Sequence, residues 1–186
     1  AEKQLLLNVT RDLSMCSSIQ ESFDKCFFYL GQILESKNMA AHLLDPLDKK
    51  TIKTTKLSKD CNWTEVDWME KSYDAKIQEV IQTKNIDSKG LLMIPLVSMG
   101  EVLGVIVVGK EGKSYNYDNS QIQLAKSIVD ATAPTFSNLL YMDQLESMVE
   151  ERTRELAVAN EKVTSVIESI TDGFFTLNNK WEFTYV

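Results

Sequence analysis

One histidine and three cysteines hold most of the reactive chemistry available to this chain. His42, within "MAAHLLD", shares one side of an extended segment with Ala40 and Leu44, so a hydrogen-bonded strand histidine is expected. With no second histidine, a histidine-built metal site is excluded, and a haem would rest on His42 alone. Cys16, Cys26 and Cys61 form no C-x-x-C pair or other ligand-like spacing. Cys16 and Cys26 fall in helical patterns, where reduced, packed thiols are expected. Cys61 would need an electropositive site and a resolving thiol to act as a nucleophile. Phosphate-binding and Ser-His-Asp patterns are absent from the sequence, so no catalytic residue is assigned. Trp63, Trp68, Met69 and Tyr73 could stack on a small planar or apolar ligand, or could simply plug a core. Together with His42 and Met93 they form the candidate ligand-binding set.

The elements that must position these side chains follow from periodicity. Leu6, Val9 and Leu13 repeat at helical spacing over about 2–15. Ser18 and Glu21 match a capping box, followed by an apolar stripe of Ile19, Phe23, Cys26, Phe27, Leu30 and Leu34. Residues 39–45 and 51–57 read as a hairpin, the second strand alternating apolar with charged residues. Between 58 and 90 no clear strand is expected, only a short helix with Ile77, Val80 and Ile81 inward. Two apolar runs within 90–110 flank Ser98-Met99-Gly100-Glu101, a hairpin turn between strands expected to be central and covered on both faces. Helical periodicity resumes near Asp118 and persists to about Ile170. Pro134 should kink that helix. Before it, Ile122, Leu124, Ala125, Ile128 and Val129 should pack on the sheet, and beyond it the helix should leave the domain.

The stretch "VEERTRELAVANE" (149–161) is too polar for a core and too regular for a loop. Around it Met142, Leu145, Val149, Arg152, Leu156, Ala159, Val163, Val166 and Ile170 alternate in steps of three and four, a heptad seam. Arg152 is its one polar member, and Glu150 and Arg154 stand outside it at i,i+4. An isolated helix this polar has little to hold it together. A parallel two-stranded coiled coil is expected in preference to an intramolecular hairpin, with these nine residues as the homodimer interface.

The totals bound the function. At 186 residues, 44% hydrophobic and 25% charged, the composition is that of a globular domain with an appendage. A net charge of −7 without a basic patch disfavours nucleic acid as a partner. The apolar runs are too short for direct membrane insertion, and no signal peptide is visible. Packed reduced thiols are consistent with a cytoplasmic setting. The chain opens at Ala1 and stops in mid-pattern at Val186, as an excised piece of a longer protein would, and a membrane anchor elsewhere in that protein is compatible with this.

Several stretches now converge on a resemblance. "MIPLVSMGEVLGVIVVGK" with "YDNSQIQLAKSIVDATAPTFSNLLYMDQL" resembles the closing strands and final helix of a GAF domain. "EERTRELAVANEKV" is similar to linkers joining sensory modules in sensor histidine kinases, and "IESITDGFFTLNNKWEFTYV" to the start of a PAS domain. The resemblance implies an α/β (α+β) fold, an antiparallel sheet with the first, second and last helices on one face and a ligand pocket on the other. It implies a GAF-like domain over 1–140, a coiled-coil signalling linker over 141–171, and the N-terminal fragment of a PAS domain over 172–186. By the same analogy, Trp63, Trp68, Met69 and Tyr73 roof the pocket. The stretch 58–90 departs from the pattern by lacking an extra strand and a Pro-containing segment, and the motif of cyclic-nucleotide-binding members is absent. Covalent bilin attachment would want a Cys beside a His, which Cys61 lacks.

The implied function is a non-catalytic sensory module of a signal-transduction protein, with PAS and kinase modules further along the same chain. Its ligand would be an unidentified small molecule, with no tightly bound cofactor and neither haem nor bilin expected. The alternatives are a ligand-free dimerisation spacer and a GAF-type methionine sulfoxide reductase using Cys61.

Overall fold

The computed structural model describes residues 2–46, 48–61, 71–88, 91–109, 117–169 and 175–185. Contacts divide the chain into two compact units, Ala1–Tyr141 and Met142–Val186.

The first unit starts with α1 (Glu2–Ser14) and α2 (Ile19–Leu34). Ser18 starts α2 in an extended conformation, its hydroxyl accepting from the Glu21 amide at 3.2 Å. Glu21 reaches back one residue further than a capping box requires, accepting from the Ser17 amide at 3.0 Å. Glu35 ends the helix in the left-handed region. The α2 stripe is buried at Phe23, Cys26, Phe27, Leu30 and Leu34, and Tyr29 donates to Asp12 at 2.6 Å, tying α1 to α2.

The sheet comprises β1 (Asn38–Leu44), β2 (Ile52–Leu57), β3 (Leu92–Ser98) and β4 (Glu101–Gly109), all antiparallel, in the order β2-β1-β4-β3. Strand periodicity splits its side chains between two cores. Met39, Ala41, Leu43, Leu92, Ile94, Leu96, Ile106 and Val108 join α1, α2 and the first part of α4 (Asn119–Ser169). Leu44, Met93, Val105 and Val107 face the other way and meet Ile77, Val80 and Ile81 of α3 (Lys71–Thr83). These are the three α3 residues that sequence periodicity places inward.

One expectation about the sheet changes. The 92–98 strand is buried, as its continuous apolarity demands, but it is the outer strand of the described sheet rather than a central one. Pro95 explains the position, because a residue without an N–H is tolerated at a sheet edge and not in its middle. The stretch before this strand also contributes pairing. Asp87 and Met93 exchange hydrogen bonds of 2.8 and 3.1 Å as an isolated bridge. A single paired residue leaves no alternation to read in a sequence.

The β3–β4 turn has positive φ at both Met99 and Gly100, as a two-residue primed turn requires. At Gly104 the strands approach so closely that a Cβ would lie 2.3 Å from the His42 carbonyl oxygen. α4 is opened by a complete reciprocal cap, the Gln121 amide donating to Asp118 at 2.7 Å and the Asp118 amide to Gln121 at 3.1 Å.

Pro134 lies inside α4 on its exposed side, and the helix continues through it. Packing does not stop there either. Phe136 and Ser137 are buried beyond the proline, in addition to the expected Ala125, Ile128 and Val129. The second unit contains the rest of α4 and a small hairpin of β5 (Thr176–Leu177) and β6 (Phe183–Tyr185). Asn178 closes that hairpin, its side-chain oxygen accepting from the amides of Lys180 and Glu182.

Candidate ligand-binding face and output helix

The α3-facing side of the sheet is built by residues of one parity. His42 lies on β1 between Ala40 and Leu44, opposite Val105 of β4 and Thr55 of β2. It is 5% exposed, and its Nδ1 shares a 2.8 Å hydrogen bond with the Thr55 hydroxyl. Burial pushes its pKa down to about 4, and Asp74 in the first turn of α3 acts in the opposite sense. At neutral pH His42 is therefore an uncharged imidazole in an apolar setting. It can orient a ligand by hydrogen bonding but is not poised to exchange protons near pH 7.

Met93 is buried on the same face and belongs to the α3-side core. His42 and Met93 are thus both on this face. Trp63, Trp68 and Met69 lie outside the described residues. Tyr73 falls in the first turn of α3, and its side chain is likewise not described.

The thiols differ in environment. Cys26 is fully buried, and burial pushes its pKa up to about 12 against a contact with Thr132 of α4. Burial also raises Cys16, so both remain protonated at neutral pH. Cys61 is half-buried. Among the described residues, no group of three or more His, Cys, Asp or Glu could hold a metal ion.

A cleft of about 360 Å³ lies beside α2, its lining including Phe27, Phe28, Gly31, Met39, Lys37 and Lys59. Sequence reasoning missed it. The available signal was Phe28, an aromatic off the α2 core stripe, which is 58% exposed.

Over Met142–Ser169 every residue except the half-buried Gln144 is exposed. Met142, Leu145, Val149, Leu156, Val163 and Val166 present an unpartnered apolar seam, Leu156 being 69% exposed. Arg152 and Ala159 of the same seam are also exposed, and Ile170 lies outside the described residues. Arg152 pairs with Glu155 at 2.8 Å, and no ion pair joins Glu150 to Arg154. No described helix is long and apolar enough to cross a membrane.

A four-stranded antiparallel sheet with helices on both faces and a long last helix has clear structural relatives. The GAF domain of the potassium sensor histidine kinase KdpD from Escherichia coli superposes with a TM-score of 0.57 at 14% identity, over 77% of this chain and 98% of that one. The fold is GAF-like. A GAF domain of a phosphoenolpyruvate-protein phosphotransferase from Coxiella burnetii matches at TM-score 0.55 and 11% identity, over 77% of this chain and 96% of that one. A methyl-accepting chemotaxis protein fragment matches at TM-score 0.54 and 10% identity, over 74% and 99% of the two chains. No protein-family model and no curated protein matches the sequence. In GAF-like terms, His42 and Met93 lie on the sheet face opposite α1, α2 and α4.

Proposed function

We propose that this chain is a non-catalytic sensory module of a signal-transduction protein, most simply a cytoplasmic sensor histidine kinase. A small apolar ligand or a partner would act on the α3-facing side of the sheet, around His42 and Met93. The bias would pass along α4, working as a parallel homodimer, to a PAS domain of which 172–186 is the start.

One observation carries this reading. α4 is a single helix whose Ala125–Ser137 portion packs in the core and whose later residues present an exposed seam. An element shared in this way can couple core packing to helix association. The likeness to the GAF domain of a sensor kinase and to a chemotaxis protein fragment supports the same role.

Leu156→Glu tests the dimer. Two glutamates at the centre of the seam should shift the mass in light scattering towards monomer. A variant as dimeric as the wild type would remove the coiled coil from the proposal. Native mass spectrometry tests the ligand, with a retained small molecule expected at one per chain.

A second reading, a ligand-free dimerisation spacer, is favoured by the closeness of α3 to the sheet. Ile77, Val80 and Ile81 already fill much of the face where a ligand would sit. Hydrogen exchange separates the two, since a ligand at this face should first protect amides within 60–90. The methionine sulfoxide reductase alternative draws no support from Cys26, which is wholly buried.

A further inference from the structure

The two edges of the sheet are not alike. At β3, Met93 is already bridged to Asp87, and Pro95 has no N–H to offer. At β2, no strand lies on the outer side among the described residues. The Ser58 amide donates to Met39 of β1, and the register pairs Lys56 with Ala41 and Thr54 with Leu43. By the alternation of an antiparallel ladder, the backbone groups of Thr55 and Leu57 therefore point outward. Both residues are exposed.

This edge is also the most basic part of an acidic chain. Lys37, Lys49, Lys50, Lys53, Lys56 and Lys59 fall within one hairpin and its flanks, in a protein of net charge −7. Lys49 and Lys59 are paired with Glu101 and Asp24. Lys37, Lys50, Lys53 and Lys56 have no ion-pair partner among the described residues. Lysines on an edge strand ordinarily discourage pairing with another copy of that strand. Their repulsion is specific to positive partners. An acidic strand would meet attraction from the same side chains and, between them, backbone groups that no other described residue uses.

We propose that the outer edge of β2 is a docking site for an acidic, extended polypeptide segment of a partner protein. The segment adds as a fifth strand, hydrogen-bonding to Thr55 and Leu57, with its carboxylates against Lys53 and Lys56. The site lies at the sheet edge rather than on the face around His42, which it adjoins through Thr55, and it is separate from helix association.

The probe is a blocked eight-residue peptide, Glu-Glu-Val-Val repeated once, which carries carboxylates on both faces, with the Lys-Lys-Val-Val counterpart as control, added to the full chain. Fluorescence anisotropy should show binding of the acidic peptide only, weakening with salt. Amide exchange should slow at Thr55 and Leu57. Lys53→Glu with Lys56→Glu should weaken binding at least about tenfold. Leu57→Pro should abolish it by removing an outward donor while sparing the ladder to β1 and the Thr55–His42 hydrogen bond, and the charge variant decides the matter if that protein does not fold. Binding without protection at Thr55 and Leu57, equal binding of both peptides, or no binding overturns the proposal. So does attachment to phosphatidylserine vesicles with no peptide binding, which would make the lysines a membrane-facing patch.

Discussion

The ring of Phe136 lies 3.9 Å, centroid to centroid, from that of Phe23, fastening α4 to α2 two residues beyond Pro134. Both rings are completely buried. Phe136→Ala should therefore cost about 3–5 kcal/mol in denaturant unfolding, the usual range for an emptied aromatic site. A loss below about 1 kcal/mol would mean that α4 is held only by its residues before the proline.

His42 predicts a pH dependence. Its folded pKa is about 4 against an ordinary 6.5. Above pH 6.5 neither folded nor unfolded chain carries a proton there, and His42 contributes no slope. As pH falls from 6.5 towards 4, the unfolded chain takes up a proton that the folded chain refuses, so stability declines. The full decline is on the order of 3 kcal/mol and levels off below pH 4. His42→Gln can keep a hydrogen bond to Thr55 without titrating. Urea midpoints of the two proteins should diverge across this window. Parallel curves would assign any acid sensitivity to other groups.

Gly104 predicts a steric failure. A methyl group there would meet the His42 carbonyl oxygen at 2.3 Å, and backbone cannot rotate away as a side chain can. Gly104→Ala should force β1 from β4 and cost at least about 3 kcal/mol. In a chain of this size that lowers the melting temperature by roughly 6–12 °C. An unchanged melting temperature would show that the strands separate there at little cost.

Met99 predicts the opposite sign. It holds φ at 51° in the β3–β4 turn and is 88% exposed, so its side chain has little packing to lose. Met99→Asn places a residue suited to the left-handed region and should raise stability by about 0.5 kcal/mol. Gly100→Ala at φ 81° should lower it by about 1 kcal/mol. Calorimetry of the pair reads both signs.

Elements with a local signature were legible in the sequence. The α2 stripe from Phe23 to Leu34, the Ser98–Glu101 turn and the long periodicity from Asn119 to Ser169 each rest on spacing within one segment. So does the assignment of His42 to one face of β1. What could not be read depends on neighbours distant in the chain. Phe136 is buried because Phe23 receives it, although the intervening proline marks a place where packing could have ended. The outer position of β3 was signalled by Pro95 alone, against the five apolar residues around it. The cleft beside Phe28 arises where α2, β1 and the residues after β2 meet, and no single segment encodes it.

Because α4 runs without a break from Asn119 to Ser169, azimuth along it is a counting problem. Each added residue turns everything after it by about 100°, and seven residues fall short of two full turns by about 20°. One residue inserted between Leu156 and Ala159 would thus swing Val163 and Val166 a quarter-turn or more away from the facet of Leu145 and Val149. Seven would nearly restore it. Length in this segment therefore behaves as a phase, and natural or engineered variants of it should be tolerated in multiples of seven far better than in single steps.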